Sequence, residues 1–220
     1  MTTHFAFKLT DATQSGIDEL LRNLDAGSPE PQHALHTRLS VVLTDEVIAN
    51  AFENLIERFQ GGEGAGVLHT LIGLLKGTVH VLIRQLLGKH DNAEVAKMAQ
   101  YMRDRRLSLH GETRFGFALP DALGSQLQRL FGEIRAGNGV AVRAELTATM
   151  TRFADLGVER FYDDFVVDME LGFIKRKAVE LGRSTISKGV HSALNKLIPS
   201  LGQKELEVFV DYYGAMFVDA

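Results

Sequence analysis

The chain has 220 residues, of which 45% are apolar and 24% are charged, and its formal net charge is −4. These values are typical of a soluble globular protein, and the negative charge gives no overall attraction to nucleic acid. Because the chain has no cysteine, disulfides, thiolate catalysis and cysteine-ligated metals are excluded, which fits a cytoplasmic location. The opening residues lack the basic and apolar regions of a secretory signal.

One segment of the chain occurs twice. Residues 5–27 and 115–137 align without a gap at an offset of 110 positions and share nine of 23 residues. Chance would give roughly one or two matches. We therefore predict an all-α fold, with up to two short strands, built by tandem duplication. Residues 1–110 form the first helical repeat and residues 111–220 the second, and the two pack as one body with pseudo-twofold symmetry.

Both copies of the segment begin with the same local pattern. Phe5 to Leu9 alternates apolar and polar or small residues, which predicts a short strand, and a helix to about Asp25 follows. The second copy repeats the pattern from Phe115 to Leu119, so we expect the two strands to pair across the junction of the repeats. A further alternation, which starts at Leu107, predicts a small hairpin at the same place.

The rest of the first repeat is predicted to be helical. A helix starts near Pro31, and residues 39–43, although strand-like by themselves, are assigned to it because their second-repeat counterpart looks helical. The helical pattern continues to about Phe59. The glycine-rich residues 61–66 then predict a flexible connection between helices, because no strand precedes them and no Lys-Ser/Thr follows, as a phosphate-binding loop requires.

Residues 67–87 form the most apolar predicted helix. Its length suits a membrane span, but Lys76 and Arg84 would be costly in a bilayer, so we interpret it as a buried helix of a soluble bundle. Gly73 and Gly77 would let a neighbouring helix approach closely. An integral membrane protein is therefore not expected.

The second repeat ends in two further predicted helices. The first runs from Phe173 to about Leu197 and is stopped by Pro199. The second runs from Gln203 to Phe217, and its aromatic residues Tyr212, Tyr213 and Phe217 are assigned to core packing, with a dimer surface as the alternative.

Two histidines recur at equivalent positions of the repeats, and two glutamates do the same. His80 and His191 are separated by 111 positions, as are Glu94 and Glu205. Two imidazoles and a carboxylate could hold a transition metal between the repeats, and this is the candidate metal site. The alternative is that each histidine binds a neighbouring helix. His33 and His36 form a weaker pair, which we assign to a solvated helix face.

Charges are segregated in the second repeat. Residues 155–170 carry six acids, and residues 173–197 carry six bases with one acid. The candidate partner-binding residues on this basic helix are Lys175, Arg176, Lys177, Arg183 and Lys188, which would suit an anionic membrane surface or nucleic acid. The favoured alternative is that the acidic and basic helices pair with each other. The acids Glu159, Asp163, Asp164 and Asp168 are also weighed as a cation site, with a solvated face as the favoured interpretation.

Three functions follow from these features, and no catalytic motif separates them. The first is a non-enzymatic binding or regulatory protein that acts through protein partners or self-association. The second is a metal-binding or small-ligand-binding protein, with or without enzymatic activity, whose site lies between the repeats near His80 and His191. The third is peripheral membrane association through the helix at residues 173–197. The sequence identifies no cofactor and no ligand.

Overall fold

Ten α-helices and four β-strands make up the part of the chain that a computed structural model describes, residues 2–59, 63–167, 169 and 171–219. The helices are α1 (Asp11–Asp25), α2 (His33–Ile48), α3 (Asn54–Arg58), α4 (Glu63–Leu86), α5 (Asn92–Asp104), α6 (Asp121–Glu133), α7 (Gly139–Val158), α8 (Asp164–Val166), α9 (Phe173–Ser200) and α10 (Gln203–Gly214). The strands are β1 (Thr3–Phe7), β2 (Arg106–Leu109), β3 (Glu112–Ala118) and β4 (Phe217–Asp219). Short π-helical turns at Ala49–Glu53, Ile134–Asn138 and Glu159–Asp163 continue neighbouring helices. The prediction of a mostly helical fold is confirmed.

Local sequence signals explain where α1 begins and ends. The Oγ1 atom of Thr10 accepts a hydrogen bond from the backbone N–H of Thr13 at 3.3 Å and caps the first turn. Ile17 and Leu20 lie on one face of the helix and are fully buried. Gly27, just past the end, has a φ of 63°, which glycine adopts without strain. The predicted end of the helix at Asp25 is confirmed.

The four strands form one antiparallel sheet in the order β2-β3-β1-β4. Strands β1 and β3 pair so that Phe5 faces Phe117 and Phe7 faces Phe115. The β2–β3 hairpin turns through His110 and Gly111, whose φ angles of 51° and 78° are those of a two-residue hairpin turn. The predicted pairing of the two strands and the predicted hairpin are therefore both confirmed.

The predicted end of the last helix is wrong. Helix α10 stops at Gly214, and the following residues form β4, which pairs with β1 in an antiparallel register that places Phe217 opposite Phe5. Strand pairing adds backbone hydrogen bonds and places the Phe217 ring 5.3 Å from the Phe153 ring, between centroids. These long-range contacts outweigh the local helical pattern.

Pro199 does not stop α9 before its own position, since the helix continues to Ser200. Pro199 lies in the last turn of α9, and the helix ends at the next residue. The predicted boundary near Leu197 is therefore short by about one turn, an ordinary error at helix ends.

Helix α4 packs against α2 and α9. Residues 65–86 of this helix are the one segment of the described chain that is long and apolar enough to cross a membrane, judged by length and composition alone. Lys76 forms an ion pair of 2.6 Å with Glu53, which accounts for one of its charges. Only 33% of the apolar window of this helix is buried inside the protein, so one side of α4 is exposed.

The close approach of α4 and α9 depends on glycines of α9 and not on those of α4. A Cβ atom at Gly182 would lie 2.4 Å from the Cδ1 atom of Leu82, and one at Gly189 would lie 2.5 Å from the Cδ2 atom of Leu74. At Gly73 and Gly77 a Cβ would meet no atom within 4 Å, and both glycines are exposed. The prediction that these two glycines admit a neighbouring helix is wrong, because their face of α4 points outward.

Candidate functional site

A cavity lies between α2, α4, α7 and α9, and Phe5 and Phe117 of the paired strands also line it. About 160 Å³ of this space can hold the centre of a water-sized sphere. Leu43 of α2, Ile83 of α4, Met150 of α7 and Val190 of α9 contribute to the wall, as does Phe5 of β1. Both predicted repeats supply wall residues, but neither His80 nor His191 lines the cavity.

Three tyrosine hydroxyls are the main polar groups near the cavity, and each donates a hydrogen bond to a backbone carbonyl oxygen. The bonds join Tyr101 to Phe161 at 3.3 Å, Tyr162 to Val179 at 2.8 Å and Tyr213 to Ala51 at 2.6 Å. Burial raises the pKa of Tyr162 to about 12 and raises the pKa of the Tyr101 and Tyr213 hydroxyls further. All three therefore stay protonated at physiological pH and cannot serve as bases.

The remaining polar side chains of the wall are also satisfied internally. Ser40 donates to the backbone oxygen of His36 at 2.9 Å, and Thr44 donates to that of Ser40 at 2.8 Å. None of the described residues that line the cavity carries a charge. A wall of this kind offers contact area and no polar anchor, so it favours an apolar molecule over a metal ion or a charged substrate.

The twinned histidines each bind an aspartate instead of each other. The Nε2 atom of His80 lies 2.9 Å from the Oδ1 atom of Asp45. The Nε2 atom of His191 lies 2.7 Å from the Oδ1 atom of Asp155. Both aspartates belong to the same predicted repeat as their histidine. Each pair therefore links two helices within one repeat, which agrees with the alternative that each histidine binds a neighbouring helix.

The twinned glutamates cap helices. Glu94 accepts a hydrogen bond from the backbone N–H of Asp91 at 3.1 Å, and Glu205 accepts one from Gly202 at 2.8 Å. Both stand at the third position of their helix, where such a bond stabilises the first turn. Among the residues that the structure describes, no three histidine or acidic side chains form a group that could hold a metal ion. The predicted metal site of His80, His191, Glu94 and Glu205 thus finds no support in this geometry.

We expect His80→Ala and His191→Ala to lower the free energy of unfolding by similar, small amounts, each below about 1 kcal/mol. The reason is that partly exposed ion pairs contribute little to stability. Urea unfolding at neutral pH, with and without added zinc, measures both effects. A metal site shared by the two histidines would instead produce a zinc-dependent stabilisation that either substitution abolishes.

The interpretation of His33 and His36 as a solvated pair is wrong for His36. This residue is 1% exposed, and its Nε2 atom has no hydrogen-bond partner within the described parts of the chain. Burial, together with the nearby His90, lowers the pKa of His36 to about 4. The helix α2 turns this side chain toward the interior, so His36 is a neutral core residue.

The acidic and basic segments of the second repeat pair only in part. Arg183 of α9 binds Asp163 at 2.8 Å, whereas Asp164 binds Arg105 and Arg160, and Asp168 lies outside the described residues. Asp163 and Asp164, two acids of the candidate cation site, are thus paired with arginines, which weakens their attraction for a cation.

Three basic residues follow two exposed apolar side chains at the start of α9. Phe173 is 72% exposed and Ile174 is 83% exposed. The Lys177 ammonium lies 4.5 Å from the centre of the Phe173 ring, and Lys175 lies 3.5 Å from the backbone oxygen of Leu86. Sequence reasoning singled out the bases but missed the exposed apolar pair, although the order Phe-Ile-Lys-Arg-Lys was visible.

Sequence reasoning also missed the cavity itself. Its wall residues appear in the sequence as ordinary core positions of helices, and nothing local distinguishes a filled core from one with a space. Comparison with protein-family models, with curated proteins and with solved structures finds no match to this chain. Its geometry is therefore the basis for assigning a function.

Proposed function

We propose that the protein is a non-enzymatic carrier or sensor that binds a small apolar molecule in the cavity between α2, α4, α7 and α9. One observation carries this proposal: the cavity wall is apolar, and its few polar side chains are hydrogen-bonded within the protein. Such a space is poorly hydrated, so an apolar molecule that enters it gains contacts without displacing well-bound water.

The size of the space limits the ligand. A dry cavity of roughly 150 Å³, lined by leucine, isoleucine and phenylalanine side chains, is known to bind benzene. The space here is comparable, at about 160 Å³, and it is lined by the same residue types. We therefore expect a ligand with the bulk of one aromatic ring or a short acyl chain, held by dispersion contacts.

The test follows the binding of toluene, an uncharged probe with one aromatic ring, by isothermal titration calorimetry, with n-alkylbenzenes of increasing chain length as competitors. Gly157 lines the cavity, and a Cβ atom there would meet nothing within 4 Å. A phenylalanine at this position should enter the cavity. We expect Gly157→Phe to weaken probe binding by at least about tenfold, because the phenyl ring takes the place of the ligand.

Gly77→Phe is the matched control. Gly77 is also a helical glycine with nothing within 4 Å of a Cβ, but it is exposed and lies outside the cavity wall. This variant should bind the probe as the unmodified protein does. Failure of the unmodified protein to bind the probe or any competitor would contradict the proposal, and so would equal binding by Gly157→Phe.

We further propose that residues 1–110 and 111–220 are duplicated units related by a pseudo-twofold axis through the sheet. The strand order β2-β3-β1-β4 places β2 and β4, which stand at corresponding positions of the two halves, on the two sides of the central pair β3 and β1. The π-helical turn at Glu159–Asp163 follows the one at Ala49–Glu53 by 110 positions. The His80 and His191 pairs support the same relation, because each histidine binds an aspartate on the preceding long helix of its unit.

The units also exchange equivalent contacts. The Tyr101 hydroxyl of the first unit donates to the backbone oxygen of Phe161 in the π-helical turn of the second. The Tyr212 hydroxyl, 111 positions later, donates to the backbone oxygen of Asn50 in the π-helical turn of the first, at 2.6 Å. A ligand between the units would touch both, so its binding could change how they pack. We propose on this basis a cytoplasmic protein that passes ligand occupancy to a protein partner or to a second copy of itself.

A further inference from the structure

We propose that one face of α9 docks on an anionic lipid bilayer. This basic-apolar face consists of Phe173, Ile174, Lys177, Leu181 and Lys188. Phe173, Lys177 and Leu181 are spaced by four residues and Lys188 follows seven later, so helical geometry places them on one side. All five side chains are exposed, and none of them lines the cavity.

Three large apolar side chains are exposed together on this face. Phe173 and Ile174 stand at the first turn of α9, and Leu181, which is 70% exposed, lies two turns later. Scattered exposed apolar residues are normal, but these three lie on one helix face beside lysines. That combination is typical of helices that lie in the interface of a membrane.

Charge complementarity selects an anionic bilayer as the occupant. Helix α9 carries six lysines and arginines and one acid, in a chain whose net charge is −4. Arg183 binds Asp163, and helical spacing places Arg183 outside this face, whereas Lys177 and Lys188 are exposed among its apolar side chains. On an anionic bilayer, Lys177 and Lys188 would contact lipid phosphates, and the apolar side chains of the face would insert below the phosphates.

Vesicle co-sedimentation of the full chain tests the proposal. The vesicles contain phosphatidylcholine alone or with about 30% phosphatidylserine, in about 20 mM and about 150 mM salt. We expect binding to the anionic vesicles to be at least about tenfold tighter than to the neutral ones and to weaken as salt rises, because the phosphates attract the lysines. The absence of sedimentation with anionic vesicles at low salt would overturn the proposal.

Paired variants identify the surface. Phe173→Ser/Ile174→Ser and Lys177→Glu/Lys188→Glu should each weaken vesicle binding by about tenfold or more. The matched controls are Val140→Ser, which removes an exposed apolar side chain of α7, and Lys204→Glu, which reverses an exposed charge of α10. The controls should bind vesicles as the unmodified protein does. Since all these side chains are exposed, urea unfolding should show that the variants stay folded.

Two readouts separate this surface from the cavity and from a protein interface. Phe173→Ser/Ile174→Ser should still bind toluene, and Gly157→Phe should still bind anionic vesicles, so the loss of one site can be measured without the loss of the other. Light scattering provides the second readout. A dimer that Phe173→Ser/Ile174→Ser dissociates, with no vesicle binding by the unmodified protein, would assign the face to self-association and overturn the proposal.

Discussion

Replacing Gly116 by alanine should lower the free energy of unfolding by at least about 3 kcal/mol, and replacing it by valine should prevent folding. Gly116 lies in β3 opposite Ala6 of β1. A Cβ atom there would stand 2.0 Å from the backbone oxygen of Phe5 and 2.7 Å from the Cα atom of Ala6. Because these are backbone atoms, no side-chain rotation can relieve the clash, and the two central strands must separate.

Urea unfolding monitored by circular dichroism measures this effect, and Gly77→Ala is its control. Gly77 lies within α4, and a Cβ atom there would meet nothing within 4 Å. Alanine at this position should stabilise the protein by about 0.5–1 kcal/mol, because it removes the flexibility of a helical glycine. If the free energy of unfolding of Gly116→Ala is within about 1 kcal/mol of that of the unmodified protein, the close approach of β1 and β3 is not as described.

Acidification should destabilise the protein through His36. Burial lowers the pKa of this side chain to about 4, from 6.5 for an exposed histidine. Above pH 6.5 the ring is neutral in both states, and its contribution to stability is fully present. As the pH falls toward 4, the unfolded chain takes up a proton that the folded protein excludes. The difference between the pKa of His36 in the unfolded chain and in the folded protein corresponds to a loss of about 3 kcal/mol in the free energy of unfolding at pH 4.

The substitution His36→Leu isolates this contribution. It replaces a buried ring, whose Nε2 atom has no partner in the described residues, by an apolar side chain that cannot be protonated. The variant should be at least as stable near neutral pH and should lose most of the slope between pH 6.5 and 4. Urea unfolding across this range provides the measurement, with His69→Gln as the exposed-histidine control. An unchanged slope in His36→Leu would contradict the assignment.

Local patterns in the sequence predicted the elements that depend on short-range physics. The alternation around Phe5 and Phe115 predicted the two strands and their pairing, and the spacing of apolar residues predicted α1. These succeeded because strand period, helix period and capping are set by neighbours within a few positions. Residues 39–43 look strand-like by themselves, and only the comparison with the second half of the chain assigned them to a helix, which is confirmed in α2.

The errors share one physical cause. The β4 strand forms because residues 217–219 meet β1, which lies more than 200 positions away in the chain. His36 is buried, and Gly73 and Gly77 are exposed, because of the orientation that packing imposes on α2 and α4. Such orientations depend on contacts between distant segments, which the local pattern of a helix does not contain.

The sequence by itself determined the mostly helical composition, the paired strands at the junction and the positions of the twinned histidines and glutamates. Only the tertiary structure decided what these residues do. It places the histidines on aspartates and the glutamates at helix starts, and it leaves an apolar space between four long helices. The physical reason is that a cavity is the difference between the volume that helices enclose and the volume that side chains fill, and this difference depends on packing across the whole chain.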